Sequence, residues 1–188
     1  MVDFNIFLTA DNHFGHANII RFCNRPFANA DEMDERMIAS WNKVVSDSDF
    51  VYHLGDFTMG NKKQARRYFN RLNGNIIILG NPWHHDKRWI KNTWDSPIAN
   101  HVLTGMPIEV IVHDKMPITL CHYAMDRWER SHYGAYHAFG HSHNQYHPDN
   151  LSMDIGVDSA FALLGSYRPF RLEEFVSIME KKASVQSK

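Results

Sequence analysis

Apolar runs and amphipathic stretches alternate along the first half of the chain. The apolar runs at residues 5–10, 50–54 and 76–79 predict three buried strands. Between them, apolar residues at helical spacing predict a helix that begins at Asp31 and a basic amphipathic helix over residues 62–72. Strands that alternate with helices are typical of a parallel sheet, so the sequence predicts the α/β class.

The second half of the chain shows a different pattern. Its apolar runs at residues 102–103, 108–112 and 118–121 are short and separated by turn-forming residues, which predicts antiparallel hairpins. A last strand is predicted at residues 152–157, ahead of a helix near residues 172–182. No repeat or linker divides the chain.

Length and composition agree with one globular domain over residues 1–188, because the chain is 44% hydrophobic and can bury a sizeable core. Lysine and arginine number 20 against 21 acidic residues, so the net charge of -1 provides no global attraction to nucleic acid or membrane. Two cysteines make no disulfide framework, and the N-terminus lacks a basic stretch followed by a long apolar one. We therefore expect a cytoplasmic protein without a membrane segment.

Polar residues follow each of the three predicted parallel strands. Asp11 and His13 follow the first strand, Asp56 the second and Asn81 the third. Ligands of such sheets bind at the carboxyl ends of the strands, and carboxylate and imidazole groups are metal ligands. Thirteen histidines in 188 residues also favour metal or acid–base chemistry.

Five motifs in chain order resemble those of the calcineurin-like metallophosphoesterase family. The end of the chain resembles the end of small single-domain bacterial and phage members. The motifs are Asp11-x-His13, Gly55-Asp56, Gly80-Asn81, His122 and Gly140-His141-Ser142-His143, and the closing segments are Gly156-Val157-Asp158 and Tyr167-Arg168-Pro169.

The resemblance implies a four-layered α/β/β/α sandwich and a dinuclear metal site. It implies one ion on Asp11, His13 and His143, a second ion on Asn81, His122 and His141, and Asp56 as the bridge between them. Two cations roughly 3.5–4 Å apart need an anionic bridge and together lower the pKa of a shared water, so a metal-bridging hydroxide would attack phosphorus. The mixed oxygen and nitrogen ligands favour manganese, with iron, zinc or nickel as alternatives.

The chain departs from the family at one motif, which commonly reads Gly-Asn-His-Asp. Here the stretch reads Gly80-Asn81-Pro82-Trp83-His84-His85-Asp86. If two residues are inserted, Asp86 would orient His85, and His85 would protonate the leaving group. His84 is the alternative proton donor, and the remaining interpretation leaves both histidines exposed on a widened loop.

Two further residues are candidates for substrate binding. His16 could contact phosphate from the start of a helix, although a capping or packing role is equally compatible with the sequence. Arg127, beside Trp128, could hold a substrate base, against the alternative of a solvated loop.

The expected activity is hydrolysis of a phosphoester, with a phosphodiester favoured and a nucleotide among the candidate substrates. The alternatives are a nuclease acting on nucleic acid ends, a phosphomonoesterase and, least favoured, a non-catalytic metal-binding scaffold.

Overall fold

The computed structural model describes residues 4–79, 85–90 and 101–186, which form a mixed α/β structure of two sheets flanked by helices. In chain order the elements are β1 (Ile6–Thr9), α1 (Ala17–Phe22), α2 (Ala30–Asn42), β2 (Phe50–His53), α3 (Lys62–Phe69), β3 (Asn75–Leu79), α4 (Lys87–Ile90), β4 (Val102–Gly105), β5 (Ile108–His113), β6 (Met116–Cys121), a 3-10 helix (Ser131–Tyr133), β7 (Tyr136–Phe139), β8 (Ser152–Asp154), α5 (Val157–Leu164), β9 (Phe170–Arg171) and α6 (Leu172–Gln186). The predicted α/β class is confirmed.

The first sheet has the strand order β4-β3-β2-β1-β9, and β1 to β4 run parallel. The prediction of parallel strands is therefore confirmed for β1, β2 and β3. The prediction that the run at residues 102–103 belongs to an antiparallel hairpin is wrong, because Val102 pairs with Ile76 in a parallel register. A two-residue apolar run contains no information on strand direction, and the partner strand decides it.

The second sheet has the order β5-β6-β7-β8. The predicted hairpin is confirmed for β5 and β6, which are antiparallel and joined by Asp114 and Lys115 at φ values of 46° and 68°. Two successive positive φ angles suit the right-handed twist of a two-residue hairpin. Strands β6, β7 and β8 then run parallel, so their carboxyl ends lie at one edge.

Side chains alternate between two cores along the strands of the first sheet. Phe7 packs with the apolar faces of α2 and α3, whereas its neighbour Leu8 packs with residues of the second sheet and of α6. The apolar stripe of α2 is buried, including Met37 and Trp41. Each helix in the described ranges is too short or too polar to cross a lipid bilayer.

Helix α5 was not predicted. The sequence pattern indicated a strand through residue 157, but β8 ends at Asp154 and Gly156 is the N-cap of α5. The apolar run continues across this boundary, and hydrophobicity alone does not separate a strand from the short helix that follows it.

Asp49 links the amino ends of β1 and β2. Its carboxylate accepts hydrogen bonds from the backbone N–H and side-chain amide of Asn5 at 2.7 and 3.0 Å, and from the N–H and Oγ of Ser46 at 2.8 Å each. Burial would raise the pKa of Asp49, but these hydrogen bonds outweigh it and lower the pKa below its ordinary value.

We therefore expect Asp49→Asn to lower the free energy of unfolding at pH 7 by about 1.5–3 kcal/mol, the range for hydrogen bonds to a charged group. Since the folded-state pKa is lowered, this stabilisation is present above the unfolded-state pKa and is lost as the pH falls through the folded-state pKa. Urea unfolding at pH 7 and near pH 3 measures the difference. The exposed neighbour variant Asp47→Asn is the control, and an Asp49→Asn loss that does not shrink in acid would contradict the interpretation.

Candidate metal centre

The loops that follow β1 and β2 are joined by backbone hydrogen bonds. Asp11 N–H donates to Gly55 O and His13 N–H donates to Asp56 O, both at 3.0 Å. These bonds extend the parallel pairing of the two strands beyond their ends. The carboxylates of Asp11 and Asp56 and the imidazole of His13 are buried at this edge of the sheet.

Three histidines at the carboxyl ends of strands in the second sheet lie near these residues. His122 directly follows β6, and the loop after β7 presents His141 and His143. The two sheets are joined here, because His141 N–H donates to Asp11 Oδ2 at 2.8 Å.

Two glycines allow this close approach to the Asp11 side chain. A Cβ atom at Gly140 would lie 2.7 Å from Asp11 Oδ2, and one at Gly156 would lie 2.6 Å from the same oxygen. Any larger residue at either position would displace the carboxylate. The glycine of the Gly140-His141-Ser142-His143 motif therefore has a steric role.

The candidate ligands form two groups whose nitrogen and oxygen atoms lie within 4.8 Å of one another. One group is Asp11, His13 and His143, and the other is Asp56, His122 and His141. One oxygen atom lies close to a histidine of each group: Asp56 Oδ2 is 3.5 Å from His13 Nε2 and 3.6 Å from His122 Nε2. The family resemblance implied Asp56 as a bridge, and this oxygen lies beside one histidine of each group, whereas Asn81 of the implied second group falls outside the described residues.

Strained backbone conformations coincide with the ligand positions. Asp11, His13, Asp56, His141 and His143 all have positive φ angles, between 47° and 68°. Each such non-glycine residue costs about 1–3 kcal/mol and persists only where the surroundings fix it. The strain is consistent with a functional role for these residues.

The electrostatics of Asp11 and His13 suit a bound cation. Burial raises the pKa of Asp11 well above its ordinary value, and the nearby carboxylates Asp154 and Asp56 raise it further, against the opposing effect of His143. Burial lowers the pKa of His13 well below its ordinary value, which leaves the neutral imidazole that ligates metals. A divalent cation would stabilise the ionised carboxylate in this position. Burial lowers the pKa of His143, but its hydrogen bonds to Asp158 and Cys23 and the charge of Asp11 outweigh burial and raise the pKa to about 10, so an ion there would replace a proton of His143.

Unpaired donor atoms support the same conclusion. In the part of the chain that the structure describes, Asp11 Oδ1 and both ring nitrogens of His13 are buried without a hydrogen-bond partner. Buried polar atoms in native proteins are nearly always satisfied, so these atoms fit metal ligation. The residues present therefore suit divalent cations.

His85 lies at this site, whereas Asn81 and His84 fall outside the described residues. His85 Nε2 is 3.9 Å from Asp56 Oδ2, and the His85 ring centroid is 5.2 Å from that of His13. Its side chain is 34% exposed, so it can meet both solvent and the ligand groups. The structure therefore places His85, partly exposed, beside the candidate ligands.

Asp86 forms hydrogen bonds to the loop that follows β2. Its buried carboxylate accepts hydrogen bonds from Phe57 N–H at 3.1 Å, Thr58 N–H at 3.2 Å and Trp89 Nε1–H at 3.0 Å. The Asp86 carboxylate therefore fixes the backbone that follows Asp56. Burial, with a contribution from Asp56, raises the pKa of Asp86 to about 7.

The two candidate substrate residues are placed differently. His16 lies beside the metal ligands, with its ring centroid 5.5 Å from that of His13, and its side chain caps no described backbone group of α1. Arg127 is exposed and lines a cavity of about 570 Å³ whose lining contains none of the candidate ligands. The structure thus places His16 beside the candidate ligands and Arg127 outside them.

Sequence reasoning missed two residues that support the histidine loops. Asp154 accepts a hydrogen bond from the Ser142 hydroxyl and one from Asn144 N–H at 3.1 Å. The Tyr123 ring packs against His122 and His141, at centroid distances of 4.9 and 4.8 Å. Asp154 ends a strand as Asp11 and Asp56 nearly do, and this position was the available signal.

The fold and these residues define a mixed α/β protein with four overlapping groups of described side chains that could bind metal ions. Two of the groups consist of the predicted ligands, and the other two are His13, Asp56 and His85, and Cys23, His143 and Asp158. No protein-family model matches the chain. The chain is 32% identical, over 191 residues, to the uncharacterized protein MJ1445 of Methanocaldococcus jannaschii, and the match covers 97% of this chain and 95% of that protein. The chain belongs to the same family as MJ1445.

Two solved structures are similar to the chain. The crystal structure of AQ665 from Aquifex aeolicus, a protein of unknown function, matches with a TM-score of 0.65 and 21% identity over 94% of this chain and 100% of that one. This similarity shows a shared fold. An archaeal phosphodiesterase matches with a TM-score of 0.41 and 20% identity over 86% of this chain and 88% of that one.

The separation of the two groups predicts different effects for the two histidines of one loop. We expect His143→Ala to lower occupancy of an ion beside Asp11 and His13, and His141→Ala to lower occupancy of an ion beside Asp56 and His122. Anomalous scattering from crystals of the two variants, grown with manganese, distinguishes the positions. The exposed His132→Ala variant is the control, and loss of the same ion in both variants would contradict the assignment.

Proposed function

We propose that the protein is a calcineurin-like metallophosphoesterase that hydrolyses a phosphodiester at a dinuclear metal site. The main support is the position of Asp56 Oδ2, which lies 3.5 Å from His13 Nε2 and 3.6 Å from His122 Nε2. A shared carboxylate between two histidine groups is the feature that a two-metal site requires, because an anion must offset the repulsion of adjacent cations.

The same proposal includes the finer features of the family. It comprises a four-layered α/β/β/α sandwich over a single domain of residues 1–188, with Asn81 as a further ligand of the second group. Manganese is the first candidate for both ions, since the described donors are carboxylate oxygens and imidazole nitrogens. Ions held there would supply Lewis acidity toward phosphate and activate water near neutral pH.

The side chains of the chain itself would position and protonate the substrate. His85 stands beside both Asp56 and His13, where it can deliver a proton to the leaving oxygen. His16 lies 6.3 Å from His85 between ring centroids, so both imidazoles can contact phosphate oxygens on the same side of the site. Burial lowers the pKa of His16, and the neighbouring His85 lowers it further.

Asp56→Asn tests the dinuclear model, because it removes the central negative charge and leaves the side-chain shape nearly unchanged. We expect hydrolysis to collapse and metal content to fall from about two ions toward one or none per chain. The assay is a panel of phosphodiesters, cyclic nucleotides, phosphomonoesters and single-stranded nucleic acid with added manganese, combined with elemental analysis.

The exposed Asp31→Asn variant is the matched control for the loss of one carboxylate. Two tightly held ions with near-normal activity in Asp56→Asn would contradict the model. A wild-type protein that binds manganese but turns over no member of the panel would instead favour the scaffold alternative.

The proton donor can be identified from the leaving-group dependence of one variant. If His85 is the general acid, His85→Ala should lower the rate about 10²–10⁴-fold on a diester with a poor leaving group. The loss should be much smaller on an activated nitrophenyl ester, whose leaving oxygen needs no proton, and metal content should remain intact.

His84→Ala, measured in the same way, is the comparison for His85→Ala. Equal and small losses on both substrates would remove His85 from the mechanism. A leaving-group-dependent loss in the His84 variant alone would assign the proton to His84.

A further inference from the structure

The His143 ring forms a hydrogen bond with a carboxylate of α5. His143 Nδ1 lies 2.8 Å from Asp158 Oδ2, and because a carboxylate only accepts, Nδ1–H must be the donor. With Nδ1 on Asp158, the other ring nitrogen, Nε2, is the atom that could face an ion in the group formed with Asp11 and His13. Asp158 belongs to the closing Gly156-Val157-Asp158 segment, to which the proposed function assigns no role.

Arg25 holds Asp158 in turn, through two parallel hydrogen bonds. Arg25 Nε donates to Asp158 Oδ1 at 2.9 Å, and an Nη donates to Asp158 Oδ2 at 2.8 Å. The side chain of Arg25 is fully buried and that of Asp158 is 9% exposed. A bidentate pair at this depth fixes both side chains in one geometry.

The remaining donors of Arg25 form hydrogen bonds with the backbone of the loop that follows β1. One Nη donates to Asp11 O at 2.8 Å, and the other donates to Asn12 O at 3.0 Å and contacts Met33 Sδ at 3.5 Å. All five N–H groups of the guanidinium thus have partners. Two of them fix the carbonyls beside Asp11, whose φ of 61° is one of the strained angles.

Arg25 and Asp158 therefore connect two candidate ligands that are distant in the sequence. Asp11 lies in the loop after β1 and His143 in the loop after β7. Arg25 donates to the backbone carbonyl of Asp11, and Asp158 accepts from the ring of His143. Lysine could not replace this arginine, because an ammonium group has three donors and no planar fork.

We propose that Arg25 and Asp158 are positioning residues for the ion held by Asp11, His13 and His143, and that they leave the ion held beside Asp56 and His122 largely unaffected. This inference rests on the proposed dinuclear site. Removing a partner that orients a metal-ligating histidine typically lowers metal affinity about 10–100-fold.

The test is calorimetric titration of metal-free protein with Mn²⁺. Arg25→Lys and Asp158→Ala should each weaken one of two Mn²⁺ sites about 10–100-fold and change the other little. Asp158→Asn should be milder than Asp158→Ala, because its amide oxygen can still accept from His143 Nδ1. Thermal unfolding checks that each variant is folded, and Asp158→Asn serves as the measurement if Asp158→Ala does not fold.

Arg168→Lys is the matched control, since Arg168 makes the same kind of bidentate pair with Glu174, at 2.9 and 2.7 Å, outside the candidate ligand groups. It should leave both Mn²⁺ affinities unchanged. Unchanged affinities in folded Arg25→Lys and Asp158 variants, or equal weakening of both sites, would overturn the positioning role while leaving the dinuclear site intact. A wild-type protein that binds no Mn²⁺ would overturn the proposed function itself.

Discussion

The burial of Asp11 and Asp56 close together is the constraint on which the rest of the site depends. Each ionised carboxylate loses its hydration there, and each raises the free energy of the other, so burial and mutual repulsion raise the pKa of Asp11 well above its ordinary value. His13 and His122 lie beside Asp56 at 3.5 and 3.6 Å. Burial lowers the pKa of His13 well below its ordinary value, so its imidazole supplies a lone pair rather than a charge. A cation bound at this edge would offset the cost of burying the two carboxylates.

The strained backbone of the candidate ligands also costs free energy. Hydrogen bonds from residues outside the ligand groups keep these residues in their left-handed conformations. Asp86 accepts from the N–H groups that follow Asp56, and Asp154 accepts from the loop that presents His141 and His143. These two carboxylates ligate no ion in the proposed arrangement, yet without them the left-handed residues would relax toward ordinary conformations. Acidic residues therefore have two places at this site: Asp11 and Asp56 could ligate metal, and Asp86 and Asp154 accept hydrogen bonds that fix loops.

The sequence predicted features that depend on local chemistry and missed those that depend on tertiary pairing. The strands ending before Asp11 and Asp56 follow from uninterrupted apolar runs, and the ligand types follow from ordered motifs. The direction of β4 could not be predicted, because a run of two apolar residues is compatible with parallel and with antiparallel pairing. The bond between Arg25 and Asp158 spans 133 residues, and no periodicity or spacing relates such distant positions.

The ligands of each candidate group come from both sheets, so the geometry of the site is set by how the sheets pack. Leu8 of the first sheet and Leu120 of the second lie in one buried cluster, and the bond from His141 N–H to Asp11 Oδ2 fixes the same packing at the edge. In the unfolded chain these donors are scattered over more than a hundred residues and cannot converge on an ion. A cation that binds the assembled groups would therefore stabilise the packed sheets by the same free energy that it gains from the complete set of donors.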